Sequence, residues 1–249
     1  MASPKVMKQR EIFSGIKATP PIAIRADGRN FKTILKRLNC QKPYDKTFAA
    51  AMADSAEHLM KESGLNPRFA YTFSDEINAF FLELPFQGRI EKLDSIVSSF
   101  LASALTLALD VHLPISFDAR VIPLSKEGIY DYLEWRQAEA WRNHVHSYGY
   151  YTLLNEGMSR RAAASKLAGM SSQEIHDMLF KKGVNLTKTP TWQRRGILIL
   201  KKTYMKPGYD PKKGTKVVTK RSQITQDWEL PLFSSKEGGK LIGRLLVET

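Results

Sequence analysis

The sequence of 249 residues contains a single cysteine, Cys40. One cysteine cannot form a disulfide within the chain, nor can it supply the thiolates of a metal cluster. The first ten residues lack the apolar stretch that is typical of a secretion signal. The longest apolar region, residues 96–111, is interrupted by serines and is shorter than a membrane span. We therefore expect a cytoplasmic protein with no membrane partner.

Several motifs of known chemistry are also missing. The phosphate-binding patterns G-x-x-x-x-G-K-[ST] and G-x-G-x-x-G do not occur, and neither do H-E-x-x-H and G-x-S-x-G. His144 and His146 lie two residues apart in a predicted helix, so their side chains are expected on different faces. The sequence therefore does not indicate a P-loop enzyme, a zinc protease or a serine hydrolase.

Positive charge, by contrast, is in excess. Lys and Arg number 38 against 25 Asp and Glu, which gives a formal net charge of +13. Such an excess favours an anionic partner such as nucleic acid, although a solvated basic surface would give the same count. Hydrophobic residues make up 43% of the chain, enough to bury a core, so we expect one large domain or a core domain with an appendage.

The first half of the chain predicts the order strand, helix, strand, strand, helix, strand. These elements are a strand at 21–27, a helix from Asp45 to Gly64, strands at 69–73 and 77–84, a helix at about 89–109 and a strand at 115–124. This order is typical of the ferredoxin-like fold, an α+β architecture in which an antiparallel sheet carries its helices on one face. We assign residues 1–124 to this core and residues 125–249 to a helical and basic C-terminal region.

The C-terminal region predicts mostly helices. We expect a long helix at 126–156, short helices at 159–168 and 171–181, and a strand at 194–202. Residues 203–222 combine basic side chains with Pro and Gly, which indicates an exposed loop or β-ribbon. Residues 240–248 fit either a strand or a helix, and we expect Trp135 and Trp141 of the long helix in the core.

Two acidic residues are expected to meet in this fold. The first strand ends on Asp27, and Asp75 lies in the turn that leads into the third strand. Because the first and third strands are neighbours in a ferredoxin-like sheet, both carboxylates should lie at the same end of it. Such a pair can bind two Mg²⁺ ions for phosphoryl or nucleotidyl transfer. Asp-Gly and Ser-Asp-Glu are also common turn sequences, so a plain turn at each position stays open.

Gly28 follows the first acid and suits the same chemistry. Without a side chain it can offer its carbonyl to a metal or let a triphosphate approach the backbone. The backbone amides from Gly28 to Phe31 are candidate partners for phosphate oxygens.

Five stretches resemble, in the same order, the motifs of the tRNA(His) guanylyltransferase family, whose members add a nucleotide to the 5′ end of tRNA in the 3′–5′ direction. They are R-A-D-G-R-N-F (25–31), K-P-Y-D (42–45), A-Y-T-F-S-D-E (70–76), F-D-A-R-V (117–121) and Y-L-E-W-R-Q-A-E (132–139). The resemblance implies a polymerase-type palm, two Mg²⁺ ions, ATP and GTP as substrates, tRNA as partner and a homotetramer.

The resemblance also implies roles for individual residues. Asp27 and Asp75 match the catalytic aspartates, which bind metal together with Gly28. The implied nucleotide-binding residues are Asp27, Gly28, Arg29, Asn30, Phe31, Lys32, Lys42, Ser74, Asp75, Glu76, Arg89 and Lys92. On the long helix, Arg136, Arg142 and Asn143 are candidate contacts to tRNA or a triphosphate, whereas Asp118 and Arg120 are expected to make structural polar contacts.

Residues 141–147, W-R-N-H-V-H-S, depart from the eukaryotic motif H-I-N-N-L-Y-N and keep only its asparagine at Asn143. This resembles the archaeal and bacterial like-protein branch, which favours template-paired addition and repairs truncated 5′ ends. Guanylate addition to tRNA(His) and 5′-end repair therefore both stay open. A palm-type nucleotidyl cyclase and a non-catalytic RNA-binding module would use the same fold, and they stay open as well.

Overall fold

A computed structural model of the chain describes residues 6–7, 9–210 and 214–247, without the side chains at 210 and 217. The strands are β1 (Ile22–Gly28), β2 (Phe69–Phe73), β3 (Glu76–Phe81), β4 (Phe117–Pro123), β5 (Ile197–Asp210) and β6 (Thr215–Asp227). The helices are α1 (Phe31–Arg37), α2 (Lys46–Glu62), α3 (Ile90–Ala108), α4 (Lys126–Asn155), α5 (Arg160–Leu167), α6 (Ser172–Lys181), α7 (Thr191–Arg195) and α8 (Lys236–Val247). None of the helices in these ranges combines the length and apolarity needed to cross a bilayer.

The six strands form one antiparallel sheet in the order β4-β1-β3-β2-β5-β6. Its first four strands have the predicted ferredoxin-like arrangement, with β1 between β3 and β4. The C-terminal half adds β5 and β6 to the same sheet, beside β2. That half therefore contributes strands to the core as well as helices.

Helices cover both faces of the sheet. On one face, Ile24 and Ile77 pack in a cluster with side chains of α2 and α3, as predicted for the ferredoxin-like core. On the other face, Phe69 and Phe80 pack with residues of α4 and α8. Every residue of β2 and β3 is consequently buried, whereas a sheet with one solvated face would alternate.

The structure decides two predictions that the sequence left open, one for the C-terminal element and one for the basic segment after Leu200. Residues 240–247 belong to α8, because Leu241, Ile242 and Leu245 share a helical face that packs on the sheet; residue 248 lies outside the described part. Beyond Leu200, β5 pairs only with β6, so residues 201–210 and 214–222 form a β-ribbon whose described side chains are exposed. Residues 211–213 of the predicted loop lie outside the described residues.

Two further expectations need correction. The sequence predicted only a turn after Asp27, but α1 begins at Phe31, directly after Asn30 in the left-handed conformation with φ 58°. Trp135 was expected in the core, yet 53% of it is exposed, because its position on α4 faces the rim of a cleft rather than the sheet. Trp141 is partly buried, as part of a separate small core between α4, α5 and α6.

Candidate active site

The two predicted acids lie at the same end of the sheet. In the strand register, Asp27 on β1 stands opposite Glu76 on β3 and Asp118 on β4. The Gly28 N–H donates to the Asp75 carbonyl over 3.0 Å, which attaches the β2–β3 turn to the tip of β1. Asp27 and Asp75 line one open cleft of about 420 Å³. The fold therefore brings together two carboxylates that are remote in sequence.

Asp75 differs from the neighbouring acids in its partners. The Arg25 Nε atom lies 3.5 Å from Asp27 Oδ2, and Glu76 is paired with an arginine of α4. In the described part of the chain, Asp75 has no cationic partner, and the Ser74 hydroxyl donates to its Oδ1 over 3.0 Å. Burial raises the pKa of Asp75, and the charge of Asp27 raises that pKa further. The site thus has one carboxylate whose charge is not offset.

This arrangement fits a divalent cation. The carboxylates of Asp27 and Asp75 and the carbonyl of Gly28 are hard oxygen donors of the type that Mg²⁺ prefers. A cation between the carboxylates would offset the repulsion that raises the pKa of Asp75. Among the described residues, no three His, Cys, Asp or Glu side chains form a metal cluster. Magnesium–nucleotide sites typically have few protein ligands, and water and phosphate oxygens supply the others.

Gly28 has a packing role that the sequence did not indicate. A Cβ atom at this position would lie 2.4 Å from the ring of Phe31, so no larger residue fits without displacing that ring. Phe31 itself is 2% exposed and packs between Phe48 and Phe117, with ring centroids 5.9 Å and 5.4 Å away. The Phe31 ring therefore belongs to the core, and the predicted nucleotide contact of this residue is left to its backbone amide.

The turn after Gly28 offers fewer amides than predicted. The Gly28 N–H is bound to Asp75, and the Arg29 N–H donates to the Ser116 carbonyl over 2.9 Å. The amides of Asn30 and Phe31 have no acceptor in the described part of the chain, as expected where a helix begins. The side chains of Arg29, Asn30 and Lys32 are exposed beside this turn.

A second compartment of about 290 Å³ adjoins the acid cleft. Lys42 and Asp45 line it from the loop before α2, and both compartments share Phe73, Ser74 and Asn143. Asp45 has a structural task as well, because its carboxylate accepts from the Phe48 and Gln41 amides over 2.9 and 2.8 Å. Although burial raises the pKa of Asp45, these amides hold it below the ordinary value.

Sequence reasoning missed several residues of this second compartment. Tyr44, His146, Ser147 and Gln193 also line it. A signal existed for two of them, since His146 and Ser147 follow Asn143 by three and four residues and so share its side of α4. Gln193 comes from α7, more than forty positions along the chain, and no local pattern connects it to the site.

Glu76 and Arg136, both predicted as ligand contacts, bind each other. Arg136 Nε donates to Glu76 Oε1 over 2.9 Å and its terminal nitrogen donates to Oε2 over 2.6 Å. Asn78 also donates to Glu76 Oε1, over 2.8 Å. Glu76 and Arg136 are 5% and 6% exposed. Their charges therefore join α4 to the hairpin that carries Asp75, and both oxygens of Glu76 are occupied.

The remaining predicted residues fall in two places. Arg142 lies at the rim of the acid cleft, is exposed and pairs with Glu139 one turn earlier on α4. Arg89 and Lys92 lie at the start of α3, after β3 has run to the opposite end of the sheet. That end is about 20 Å from the acids along a seven-residue strand. The structure does not bring these two residues to the cleft of the same chain.

Asp118 and Arg120 behave as predicted. Arg120 donates to the Asp118 carboxylate over 2.8 Å, and both side chains are exposed on the edge strand β4. Asp118 stands directly across from Asp27 in the register, so it provides an acid close to the site but outside the cleft.

Comparison with known proteins finds relatives for both halves of the chain. Residues 4–125 match the family described as tRNAHis guanylyltransferase (Thg1), and residues 127–231 match the Thg1 C-terminal domain. A tRNA(His) guanylyltransferase of Candida glabrata is 30% identical over 79% of this chain and 89% of its own length. One from Neurospora crassa is 31% identical over 78% of this chain and 71% of its own length.

Solved structures show the same fold. A bacterial tRNA(His) guanylyltransferase (Thg1)-like protein in complex with GTP superposes with a TM-score of 0.75, at 24% identity and over 98% of both chains. The tRNA(His) guanylyltransferase of Saccharomyces cerevisiae gives a TM-score of 0.68 at 24% identity, covering 79% of this chain and 92% of its own.

Proposed function

This chain belongs to the tRNA(His) guanylyltransferase family, and from that premise we propose that it is a nucleotidyltransferase that extends tRNA at its 5′ end. The observation that carries the proposal is the meeting of Asp27 and Asp75 in a cleft that opens into a second compartment beside Lys42. A plain turn at each position gives no reason for a half-buried carboxylate such as Asp75, which has no cationic partner among the described residues.

The residues of the cleft have different roles in this proposal. Asp27, Asp75 and the Gly28 carbonyl would hold Mg²⁺, which would supply positive charge to stabilise the attacking and leaving oxygens of the transfer. The free amides of Asn30 and Phe31 bind phosphate oxygens at the start of α1. Lys42 adds positive charge on the side of the second compartment, where the nucleoside binds.

The reaction has three steps. The 5′-monophosphate of tRNA attacks the α-phosphorus of ATP and releases pyrophosphate, which leaves an adenylylated 5′ end. The 3′-hydroxyl of GTP then attacks the 5′ phosphate, loses its proton and displaces AMP. Finally, water attacks the α-phosphorus of the added nucleotide and displaces pyrophosphate, which leaves a new 5′-monophosphate. The template-paired variant uses the same steps with the nucleotide that pairs with the opposite strand.

The ribbon formed by β5 and β6 binds tRNA phosphates. Its described cationic residues are exposed, and they are Lys201, Lys202, Lys206, Lys216, Lys220 and Arg221. Contacts of this kind give affinity without sequence preference. A nucleotidyl cyclase would have no use for such a surface, since its substrate is a single nucleotide. A homotetramer and a cytoplasmic location complete the proposal.

The test is nucleotide addition. The protein is incubated with 5′-monophosphorylated tRNA, Mg²⁺, ATP and labelled GTP, and the label is followed into RNA lengthened at its 5′ end. A cyclic nucleotide without lengthened RNA would establish the cyclase instead, and tRNA binding without turnover would establish a binding module. Running full-length tRNA(His) beside a tRNA that lacks its 5′ nucleotide separates guanylate addition from end repair.

A further inference from the structure

Trp135 is a large apolar side chain at the mouth of the acid cleft. It lines the same compartment as Asp27 and Asp75, and 53% of it is exposed. Among the described residues that line the two compartments, it is the one large hydrophobic side chain in the exposed class. Single exposed apolar residues are ordinary on a surface, but an exposed indole beside the reactive groups is a candidate binding element.

The indole is held in position although it is not buried. The Arg136 guanidinium carbon lies 4.4 Å from the ring centroid, and that arginine is itself fixed by two hydrogen bonds to Glu76. The Tyr132 ring meets the indole edge to face at 5.7 Å, and Arg25 approaches from 5.8 Å. A side chain restrained in this way loses little conformational freedom when a ligand stacks on it.

The position of Trp135 and the chemistry of its surroundings limit the class of ligand that it binds. Trp135 does not line the compartment of Lys42 and Tyr44, where the proposed function places the incoming nucleotide. Because the other compartment binds the incoming nucleotide, we assign the acid cleft, which Trp135 lines, to the 5′ end of the RNA. Planar aromatic surfaces beside guanidinium groups are the surfaces on which unpaired nucleobases stack.

We propose that the 5′-terminal nucleobase of the RNA substrate stacks on Trp135 while its phosphate lies at Asp27 and Asp75. This inference rests on the proposed function of the cleft. Because every base has a flat face, stacking would position the 5′ end without selecting its identity. A platform of this type suits an enzyme that must accept more than one terminal base.

Steady-state kinetics test the stacking role of Trp135 by comparing the KM for RNA with the KM for GTP. In Trp135→Ala, the KM for 5′-phosphorylated RNA should rise about tenfold, because one base–aromatic stack is lost. The KM for GTP should stay within about twofold of the wild-type value, and Trp135→Phe should recover most of the RNA affinity because it retains an aromatic face. Phe180→Ala is the matched control, since Phe180 is 61% exposed on α6 and lines neither compartment.

Direct binding separates this inference from the proposed function. The affinity for 5′-phosphorylated RNA is measured by fluorescence anisotropy without nucleotide, and it should fall in Trp135→Ala but not in Phe180→Ala. Equal affinities of Trp135→Ala and wild type would overturn the platform, even if the wild-type enzyme extends RNA. A lower melting temperature with an unchanged KM for RNA would also overturn it, by showing that the indole only covers the Arg136–Glu76 pair. A wild-type enzyme that binds RNA but never lengthens it contradicts the proposed function alone.

Discussion

The acid cleft and the β5–β6 ribbon both carry charge, but they hold it in different ways. In the cleft, Glu76 and Arg136 are almost fully buried and lie within 3 Å of each other, and Asp75 is half-buried with no cationic partner among the described residues. On the ribbon, lysines such as Lys201 and Lys206 stand in solvent. A buried charge depends on the position of its neighbours, whereas an exposed one acts through solvent and is screened by salt. The charges of the cleft therefore suit the precise positioning of a substrate, whereas those of the ribbon suit the attraction of a polyanion.

The largest effect should come from the acid without a cation. Asp75→Asn removes a proposed metal ligand and should lower the transfer rate by roughly a thousandfold or more, because several kcal/mol of charge stabilisation are lost. The dissociation constant for tRNA should stay within about threefold, since the ribbon is intact. Single-turnover transfer and filter binding measure the two quantities.

Asp118→Asn is the matched control for that substitution. Asp118 is a neighbouring acid on the next strand, but it is exposed and paired with Arg120. Its replacement should change the transfer rate by less than about threefold. Transfer within tenfold of wild type in Asp75→Asn would contradict the proposed metal site.

The next largest effect concerns stability. Arg136→Ala leaves the Glu76 carboxylate buried without its partner and should lower the free energy of unfolding by about 3–5 kcal/mol. Replacing Glu76 by Gln in the same chain should recover part of that loss, because no uncompensated charge then remains. Urea denaturation followed by circular dichroism gives the values.

Arg142→Ala tests whether burial of the ion pair is the cause of the large loss of stability expected for Arg136→Ala. Arg142 also pairs with a glutamate, but it lies in solvent on the same helix. Its loss should cost less than about 1 kcal/mol. Similar costs for the two arginines would show that the Arg136–Glu76 pair does not hold α4 on the hairpin.

A smaller effect should appear as a dependence on pH. His144 is fully buried, its Nε2 lies 3.0 Å from the Thr189 hydroxyl, and burial lowers its pKa to about 3. The unfolded chain binds a proton on this histidine near pH 6.5, whereas the folded chain does not, so stability is full above pH 6.5 and falls as the pH drops towards 3. Between pH 6.5 and 5 the loss should be about 2 kcal/mol.

His144→Gln isolates this contribution, because the variant keeps every carboxylate. Its free energy of unfolding should fall less steeply than that of wild type between pH 6.5 and 5 in urea titrations. Parallel curves would mean that His144 is already protonated in the folded protein.

The ribbon should give the mildest change. Replacing Lys201, Lys202 and Lys206 by Ala should weaken tRNA binding about tenfold near 0.1 M salt and reduce the slope of log affinity against log salt by about 2. The transfer rate at saturating tRNA should stay unchanged, because none of the three lines either compartment. Binding titrations at several salt concentrations provide the slope.

A triple variant on the helical part serves as the comparison. Lys166, Lys181 and Lys188 are equally exposed but lie on or beside α5 and α6. An equal loss of affinity in that variant would show that net charge, rather than the ribbon, attracts the RNA.

Much of the framework was predictable because it depends on local patterns. Strand periodicity and cap residues such as Asp45 gave the ferredoxin-like order, and that order alone implied that Asp27 and Asp75 share one end of the sheet. The basic segment after Leu200 was correctly expected as an exposed loop or ribbon. These features follow from the identities of neighbouring residues, which the sequence displays directly.

The partners of individual charges depended on the tertiary structure. Nothing near Glu76 in sequence indicates that Arg136, on a helix sixty residues later, neutralises it, or that Trp135 is left in solvent beside it. Nor could the motif around Gly28 show that the Phe31 ring turns into the core. Sequence determined the order of the elements and the chemistry available at the site, because periodicity and residue type are local. Packing decided which groups are buried and what they meet, because burial depends on elements that come together only in the folded chain.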